Sequence, residues 1–246
     1  HTLKESLMFP IARSELIQLF RNRAVLISGL IMPVAASIYF IYNRDVFSQI
    51  GSIGFVGALL AFTIAVFTLY ATTVTALAAR RQSLFLKRLR STAASDPAIL
   101  AGLVLPVVGI SLVQVSFVLG VFAVVGGRPA DTALLVVAVL AGFAMMLALG
   151  LATAGITNSP EHAQVTTLPL SLGVIAVASW VGITGTESLA ALKRALPGGA
   201  ATELVVNAWD GAAPLGDSLL LLAPTLGWVI VAIALAARLF RWEPRR

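Results

Sequence analysis

Six long apolar runs without a single charged residue constrain this chain more than any other feature. The runs are Ala24–Tyr42, Ile53–Ala79, Ala98–Val125, Thr132–Thr157, Val165–Ile183 and Leu219–Ala237. Each is long enough to cross the hydrocarbon core of a bilayer as a helix, which takes about 20 residues. None alternates polar and apolar residues as the strands of a membrane barrel do. We therefore predict an all-α integral membrane protein with six transmembrane helices, forming one domain over residues 1–246.

The composition agrees with this prediction. The chain is 59% hydrophobic and only 11% charged, and its mean hydropathy is +0.95, whereas soluble domains carry about 25% charged residues. A net charge of +6 would suggest a nucleic-acid partner in a soluble protein, but here we expect none. Cysteine is absent and histidine occurs only as His1 and His162, so we expect no disulfide and no metal site.

The positive charges orient the predicted spans. Six spans place the N-terminus, the links 80–97 and 158–164 and the C-terminus on one side, which holds thirteen of the 17 Lys and Arg residues. The other four are Arg44, Arg128, Lys193 and Arg194. Because Lys and Arg concentrate in cytoplasmic segments, we predict that both termini are cytoplasmic. The first apolar run is too long for a signal-peptide core, so we expect no cleaved leader.

Residues 3–23 precede the first span and are amphipathic. On a helical wheel, Ala12, Leu16, Ile17, Leu19 and Phe20 gather on one side, while the opposite side holds Ser14, Glu15, Gln18, Arg21 and Asn22. Arg13 is an exception because it lies on the apolar side. We predict a helix in the cytoplasmic interface. A simple juxtamembrane anchor and a partner-binding helix both fit this pattern.

The link between the second and third runs, "RRQSLFLKRLRSTAASDP", concentrates five cations: Arg80, Arg81, Lys87, Arg88 and Arg90. In a helical conformation Phe85, Leu86 and Leu89 share one arc, so we predict a short helix rather than a loop. Ser95 or Asp96 can cap the next span, with Pro97 at its first position. An ordinary positive-inside anchor remains open, but the apolar arc favours a docking surface for a cytosolic protein.

The outer link Thr184–Asp217 contains two fairly apolar pieces, Ala190–Leu196 and Ala201–Trp209. Pro197, Gly198 and Gly199 separate them. Both pieces are too short to span a bilayer, and re-entrant or interfacial helices account for such segments.

Several kinds of chemistry are missing. The spans contain no ionisable side chain, and Gln114 is one of their few large polar residues, which argues against an ion-coupled transporter. His162 beside Glu161 is the only candidate general base, and a lone histidine at a helix start is usually structural. The three lysines each follow a leucine, whereas a nucleotide-binding P-loop needs glycine before its lysine. We expect that the chain is not an enzyme and that energy for any transport comes from another subunit.

Five stretches are together similar to a known family. They are "RSELIQLFRNRAVLI" (13–27), "RRQSLFLKRLRSTAASDPAILAG" (80–102), "TNSPEHAQVTTLPLS" (157–171), "LPGGAATELVVNAWDG" (196–211) and the tail "FRWEP" (240–244). In their order, spacing and sidedness they resemble the membrane subunits of bacterial type-2 ATP-binding cassette (ABC) exporters. The likeness covers nearly the whole chain.

The resemblance implies partners and sites. The family combines two permease chains, identical or paralogous, with two ATPase subunits that hold ATP and Mg, and this chain would bind no cofactor itself. The implied ATPase contacts are Arg80, Arg81, Phe85, Leu86, Lys87, Arg88, Leu89 and Arg90, with Arg13 and Glu15 beside them. The implied substrate path in the second span is Phe55, Leu59, Phe62, Val66 and Tyr70. At these five positions, helix packing or lipid contact fits as well as a path does.

An uncharged path suits hydrophobic or amphiphilic cargo such as drugs or lipids, whereas polysaccharides would want more polar and aromatic surface. We therefore expect a permease of an ATP-driven exporter in the bacterial cytoplasmic membrane. The alternative is a membrane scaffold or regulatory protein that docks a cytosolic partner without transporting anything.

Overall fold

The computed structural model describes residues 8–21, 23–85 and 96–239, and within these ranges the chain forms only helices and turns. The helices are α1 (Met8–Arg21), α2 (residues 23–42), α3 (Arg44–Ile50), α4 (Ile53–Gln82), α5 (Asp96–Val125), α6 (Thr132–Ile156), α7 (Pro160–Thr184), α8 (Ala190–Ala195), α9 (Gly199–Asp210) and α10 (Leu215–Leu239). Five of these, α4, α5, α6, α7 and α10, are long and apolar enough to cross a membrane.

Five of the six predicted spans are thus confirmed as apolar helices of membrane-crossing length. The first predicted span corresponds to α2, whose apolar part is the shorter helix Gly29–Tyr42. The count of six spans therefore stays a prediction. The predicted helical pieces of the outer link coincide with α8 and α9, and their placement in a bilayer also stays a prediction.

Side-chain caps fix where three of the long helices begin. The Ser52 hydroxyl accepts a hydrogen bond from the Phe55 amide at the start of α4, and Ser159 caps α7 in the same way. The Asp131 carboxylate accepts from the Leu134 amide at the start of α6 at 2.9 Å. Each cap satisfies an amide that the first turn of a helix leaves without a backbone partner.

Helix α4 is the centre of the bundle. It packs against α2, α3, α5, α6, α7 and α9, and nearly every residue from Gly54 to Ala78 is buried. Small residues let its neighbours approach closely, as is common between membrane helices. A Cβ atom added at Gly57 would lie 3.0 Å from the Trp209 ring, and one added at Gly54 would lie 2.9 Å from the Val206 carbonyl oxygen.

Helix α9 lies inside the bundle and runs from a deep start, near Phe62, towards the end of the bundle at which α4 begins. Its last residue, Asp210, accepts a hydrogen bond from the Gly54 amide near the start of α4 at 2.9 Å. Gly198, just before α9, lies near the Phe62 ring. Eight residues separate Gly54 from Phe62, so α9 begins about 12 Å deeper along α4 than it ends, at 1.5 Å per residue.

The remaining helices surround this core. Helix α10 packs mainly along α6, and the two cross closely where a Cβ on Gly155 would lie 2.8 Å from the Leu239 backbone. Helix α1 packs along α5. The outer faces of α7 and α10 remain exposed over most of their length, as expected of helices that face lipid.

Candidate functional site

The basic link begins where α4 ends, and its two arginines differ in their surroundings. Arg81 is only 1% exposed. Its Nη1 donates to the carbonyl oxygens of Ala154 at 2.6 Å and Thr157 at 2.7 Å. These carbonyls form the C-terminal end of α6, where a helix carries partial negative charge. Arg81 therefore ties the end of α4 to the end of α6, and its guanidinium is buried within this chain, while its contact with an ATPase stays a prediction.

Arg80 joins the link to the amphipathic helix. Its Nη2 donates to Oε1 of Gln18 in α1, and its guanidinium lies 5.2 Å from the centre of the Phe85 ring. Phe85 itself is half-buried and packs on a small cluster at this end of the bundle, which includes Leu77 and Ile99. The structure thus brings the start of the link and α1 together at one end of the bundle.

The other predicted ATPase contacts lie largely outside the described residues. This applies to Leu86, Lys87, Arg88, Leu89 and Arg90, and to the side chain of Glu15. Their contact with an ATPase stays a prediction.

Arg13, the cation on the apolar side of the predicted amphipathic helix, has an explanation in the structure. It is exposed and borders an apolar groove of about 730 Å³ between α1, α2 and α5. The groove wall on α5 includes Leu105, Val113 and Phe117. A cation on this side of α1 therefore need not be buried in the protein.

All five residues of the predicted substrate path lie inside the bundle. Phe55, Leu59, Phe62, Val66 and Tyr70 are each at most 4% exposed, because α4 has neighbours on every side. In this arrangement the stripe serves helix packing. A path along it stays a prediction that requires the surrounding helices to move apart.

Phe55 shows how closely this region is packed. Its ring lies against Gly51 and Gly182, and a Cβ on Gly182 would be 2.0 Å from ring atom Cδ2. The end of α7 can approach α4 here only because residue 182 is glycine.

A neutral polar cluster lies in the middle of the bundle, where α2 and α4 each contain a π-helical segment, Ile27–Ile31 and Ala65–Ala71. The Thr68 hydroxyl bonds the Gly29 carbonyl oxygen at 2.5 Å and lies 2.8 Å from Oε1 of Gln114. Gln114, noted in the sequence as an unusual polar residue within a span, therefore joins α5 to α2 and α4. Such π-helical turns often mark functional positions.

The opposite end of the bundle holds charged residues in short helices. Lys193 of α8 is 1% exposed, and its ammonium donates to the Thr184 hydroxyl at 2.8 Å and the Gly185 carbonyl at 2.6 Å. It thereby caps the end of α7 as Arg81 caps the end of α6. Sequence analysis missed both roles, because each cation bonds the end of a different helix from its own. The acceptors of Arg81 lie more than 70 residues further along the chain, and those of Lys193 lie at the end of the preceding helix.

Next to Lys193, Arg194 forms a bidentate ion pair with Glu203 of α9, with distances of 2.7 and 2.6 Å. The Thr186 hydroxyl donates to the same carboxylate at 2.7 Å. The hydrogen bonds that Arg194 donates to the Glu203 carboxylate raise the pKa of the Arg194 guanidinium. This pair fastens α8 to α9 across the turn that separates them.

The length and the apolar composition of five helices indicate a multi-pass helical membrane protein. The family model of the ABC-2 type transporter matches residues 7–179, which is more than half of the chain. The chain belongs to this family and is a membrane permease subunit of an ABC transporter, not a nucleotide-binding or catalytic domain. The family implies an ABC ATPase as partner. No significant match occurs among curated proteins or among solved structures.

Proposed function

We propose that this permease exports hydrophobic or amphiphilic compounds, drug-like or lipid-like, across the bacterial cytoplasmic membrane. Two copies of a separate ATPase would supply the energy and carry ATP and Mg, and a second permease chain, identical or paralogous, would complete the transporter. Both termini would be cytoplasmic. The observation that supports this cargo class is the uncharged middle of the bundle.

At mid-depth the polar side chains buried between the described helices are uncharged, for example Thr68, Ser111 and Gln114. The buried cations Arg81 and Lys193 instead lie at helix ends, where backbone carbonyls hold them. A polar or charged cargo would need compensating groups along its path, because burying an unpaired polar group is costly. A hydrophobic cargo needs none.

We propose that the ATPase docks where the link 80–97 leaves α4 beside α1. The hydrogen bond between Arg80 and Gln18 supports this placement because it holds α1 next to the start of the link. A movement of the link would be transmitted to α6 through Arg81 and to α1 through Arg80. Of the predicted contacts, Arg88 and Arg90 are the best to test, since Arg80, Arg81 and Phe85 have packing roles within the chain.

The test is co-purification of the permease with its ATPase, followed by ATP hydrolysis and export of a hydrophobic dye from reconstituted vesicles. The double change Arg88→Glu and Arg90→Glu should weaken assembly about tenfold or more, since like charges facing each other cost several kcal/mol. Arg44→Glu, a charge reversal at the other end of the bundle, is the control and should leave assembly intact.

Unchanged assembly, hydrolysis and export in the double variant would contradict the docking proposal. Assembly with the ATPase but no movement of any hydrophobic compound would instead favour a non-transporting scaffold. Export of a polysaccharide in place of hydrophobic dyes would contradict the proposed cargo class.

A further inference from the structure

A second apolar groove, separate from the one beside Arg13, lies between α5 and α6 at the end of the bundle opposite the basic link. Its volume is about 440 Å³, within the range of small-molecule sites. Leu112, Leu119 and Gly120 of α5 form one wall, and Val136 and Leu140 of α6 form the other. Trp209 of the inserted helix α9 also lines it, and Arg128 stands at its mouth.

The groove has the length of one bilayer leaflet and opens sideways. On α6 it runs from Thr132 to Leu140, which is about 12 Å at 1.5 Å per residue. Half of a bilayer's hydrocarbon core is about 15 Å. Val136 and Leu140 are 52% and 50% exposed, so this wall faces the space that lipid occupies around the bundle. An occupant would therefore enter from the leaflet.

The side chain of Trp209 borders the groove. Trp209 is 3% exposed, and its indole Nε1 has no acceptor among the described residues. Backbone hydrogen bonds hold this residue at the level of the mouth, because the Ala130 amide donates to the Trp209 carbonyl at 3.0 Å and the Asp131 amide to the Ala208 carbonyl at 2.9 Å. The Trp209 ring therefore forms part of the apolar lining at the level of the mouth.

The mouth also carries a cation. Arg128 is exposed, lies in the turn between α5 and α6, and has no ion pair or hydrogen bond within the part of the chain that the structure describes. An arginine in this position can pair with a phosphate group at the membrane surface.

The α5 wall of the groove has room for a larger side chain at Gly120. A Cβ added at Gly120 would meet no atom within 4 Å, so a bulky residue there would fill the groove without displacing the protein around it.

We propose that this groove binds one acyl chain of an anionic phospholipid from the leaflet on the Arg128 side. The chain lies between α5 and α6, and the phosphate pairs with Arg128. The apolar walls, the leaflet length and the cation at the mouth all match this one kind of molecule. The site is distinct from the proposed substrate path and does not depend on export.

Native mass spectrometry of the purified permease measures the lipids that stay bound. The protein is exchanged into phosphatidylglycerol or phosphatidylcholine with the same acyl chains. The unmodified chain should retain phosphatidylglycerol about fivefold better, since a cation near the surface contributes about 1 kcal/mol towards an anionic lipid. Arg128→Gln should abolish this preference.

Gly120→Phe should remove the bound lipid of either kind by filling the groove. Gly173→Phe is the matched control, because a Cβ on Gly173 in α7 also meets nothing within 4 Å and that residue does not line the groove. The control should retain the lipid count of the unmodified chain.

Three results would overturn the proposal. The first is an unchanged lipid count in Gly120→Phe, and the second is an equal loss in Gly173→Phe. The third is a preserved preference for phosphatidylglycerol in Arg128→Gln. If Gly120→Phe kept its lipid but lost the stimulation of ATP hydrolysis by a hydrophobic compound, the groove would hold cargo, and the lipid proposal would be wrong.

Discussion

The buried guanidinium of Arg81 gives the sharpest test of the structure. The substitution Arg81→Met keeps an unbranched apolar stem but removes the charge and both hydrogen bonds to the end of α6. It leaves the Ala154 and Thr157 carbonyls without their buried partner. If Arg81 were instead an exposed residue that only contacts the ATPase, the substitution would leave the stability of the isolated permease unchanged.

The expected loss follows from the two hydrogen bonds. Each bond to a charged group contributes about 1.5–3 kcal/mol, and relief of the buried charge offsets part of the sum, so we expect a net loss of about 3 kcal/mol. At about 2–4 °C per kcal/mol for a chain of this size, the melting temperature should fall by about 6–12 °C. Arg81→Lys should lie in between, because an ammonium keeps the charge but not the planar fork.

The assay is thermal unfolding of the purified permease in detergent, without its ATPase. Arg238→Met serves as the control, because Arg238 is exposed at the end of α10 and surface changes usually stay within about 0.5 kcal/mol. An Arg81→Met protein that melts with the unmodified chain, yet fails to couple to the ATPase, would refute the structural role argued for this residue.

Two further substitutions test the opposite end of the bundle by the same melting assay. Gly182→Ala should lower the free energy of unfolding by about 1–3 kcal/mol, because the new Cβ would lie 2.0 Å from the Phe55 ring. Its control, Gly173→Ala, places the Cβ in open space and should raise the free energy of unfolding by up to about 1 kcal/mol through helix propensity. Equal effects of the two changes would be inconsistent with this packing. Lys193→Met should lower the free energy of unfolding by about 2–3 kcal/mol, because the two hydrogen bonds that the buried ammonium donates are lost. Its control, Leu192→Met, changes an exposed neighbour and should leave the free energy of unfolding nearly unchanged. A Lys193→Met protein as stable as the unmodified chain would show that this cap contributes nothing.

Much of the fold could be predicted from the sequence. The long apolar runs placed five helices within a few residues of their bounds, because transfer of a run of about 20 apolar residues into a bilayer is a local property of the chain. The predicted pieces of the outer link likewise coincide with α8 and α9. The family resemblance, carried by short motifs in order, agrees with the match to the ABC-2 type transporter family.

The candidate site was less predictable. Arg80 and Arg81 are neighbours in a basic link, yet one contacts Gln18 and the other is buried against the end of α6. Charge patterning treats the two alike, because the pattern contains the cations but not the distant carbonyls that accept from them. The unpaired indole of Trp209 has no signature in the sequence for the same reason.

The sequence by itself determined that this chain is a helical membrane protein and which segments are long and apolar enough to cross a bilayer. Only the tertiary structure decided which faces of those segments meet protein and which meet lipid. Helix α4 is apolar on every side and is buried, whereas α10 is equally apolar and largely exposed. Lipid tails are as apolar as leucine, so hydrophobicity cannot separate these two environments. What determines which helices are buried is close packing at small residues, together with hydrogen bonds between polar groups that are far apart in the sequence.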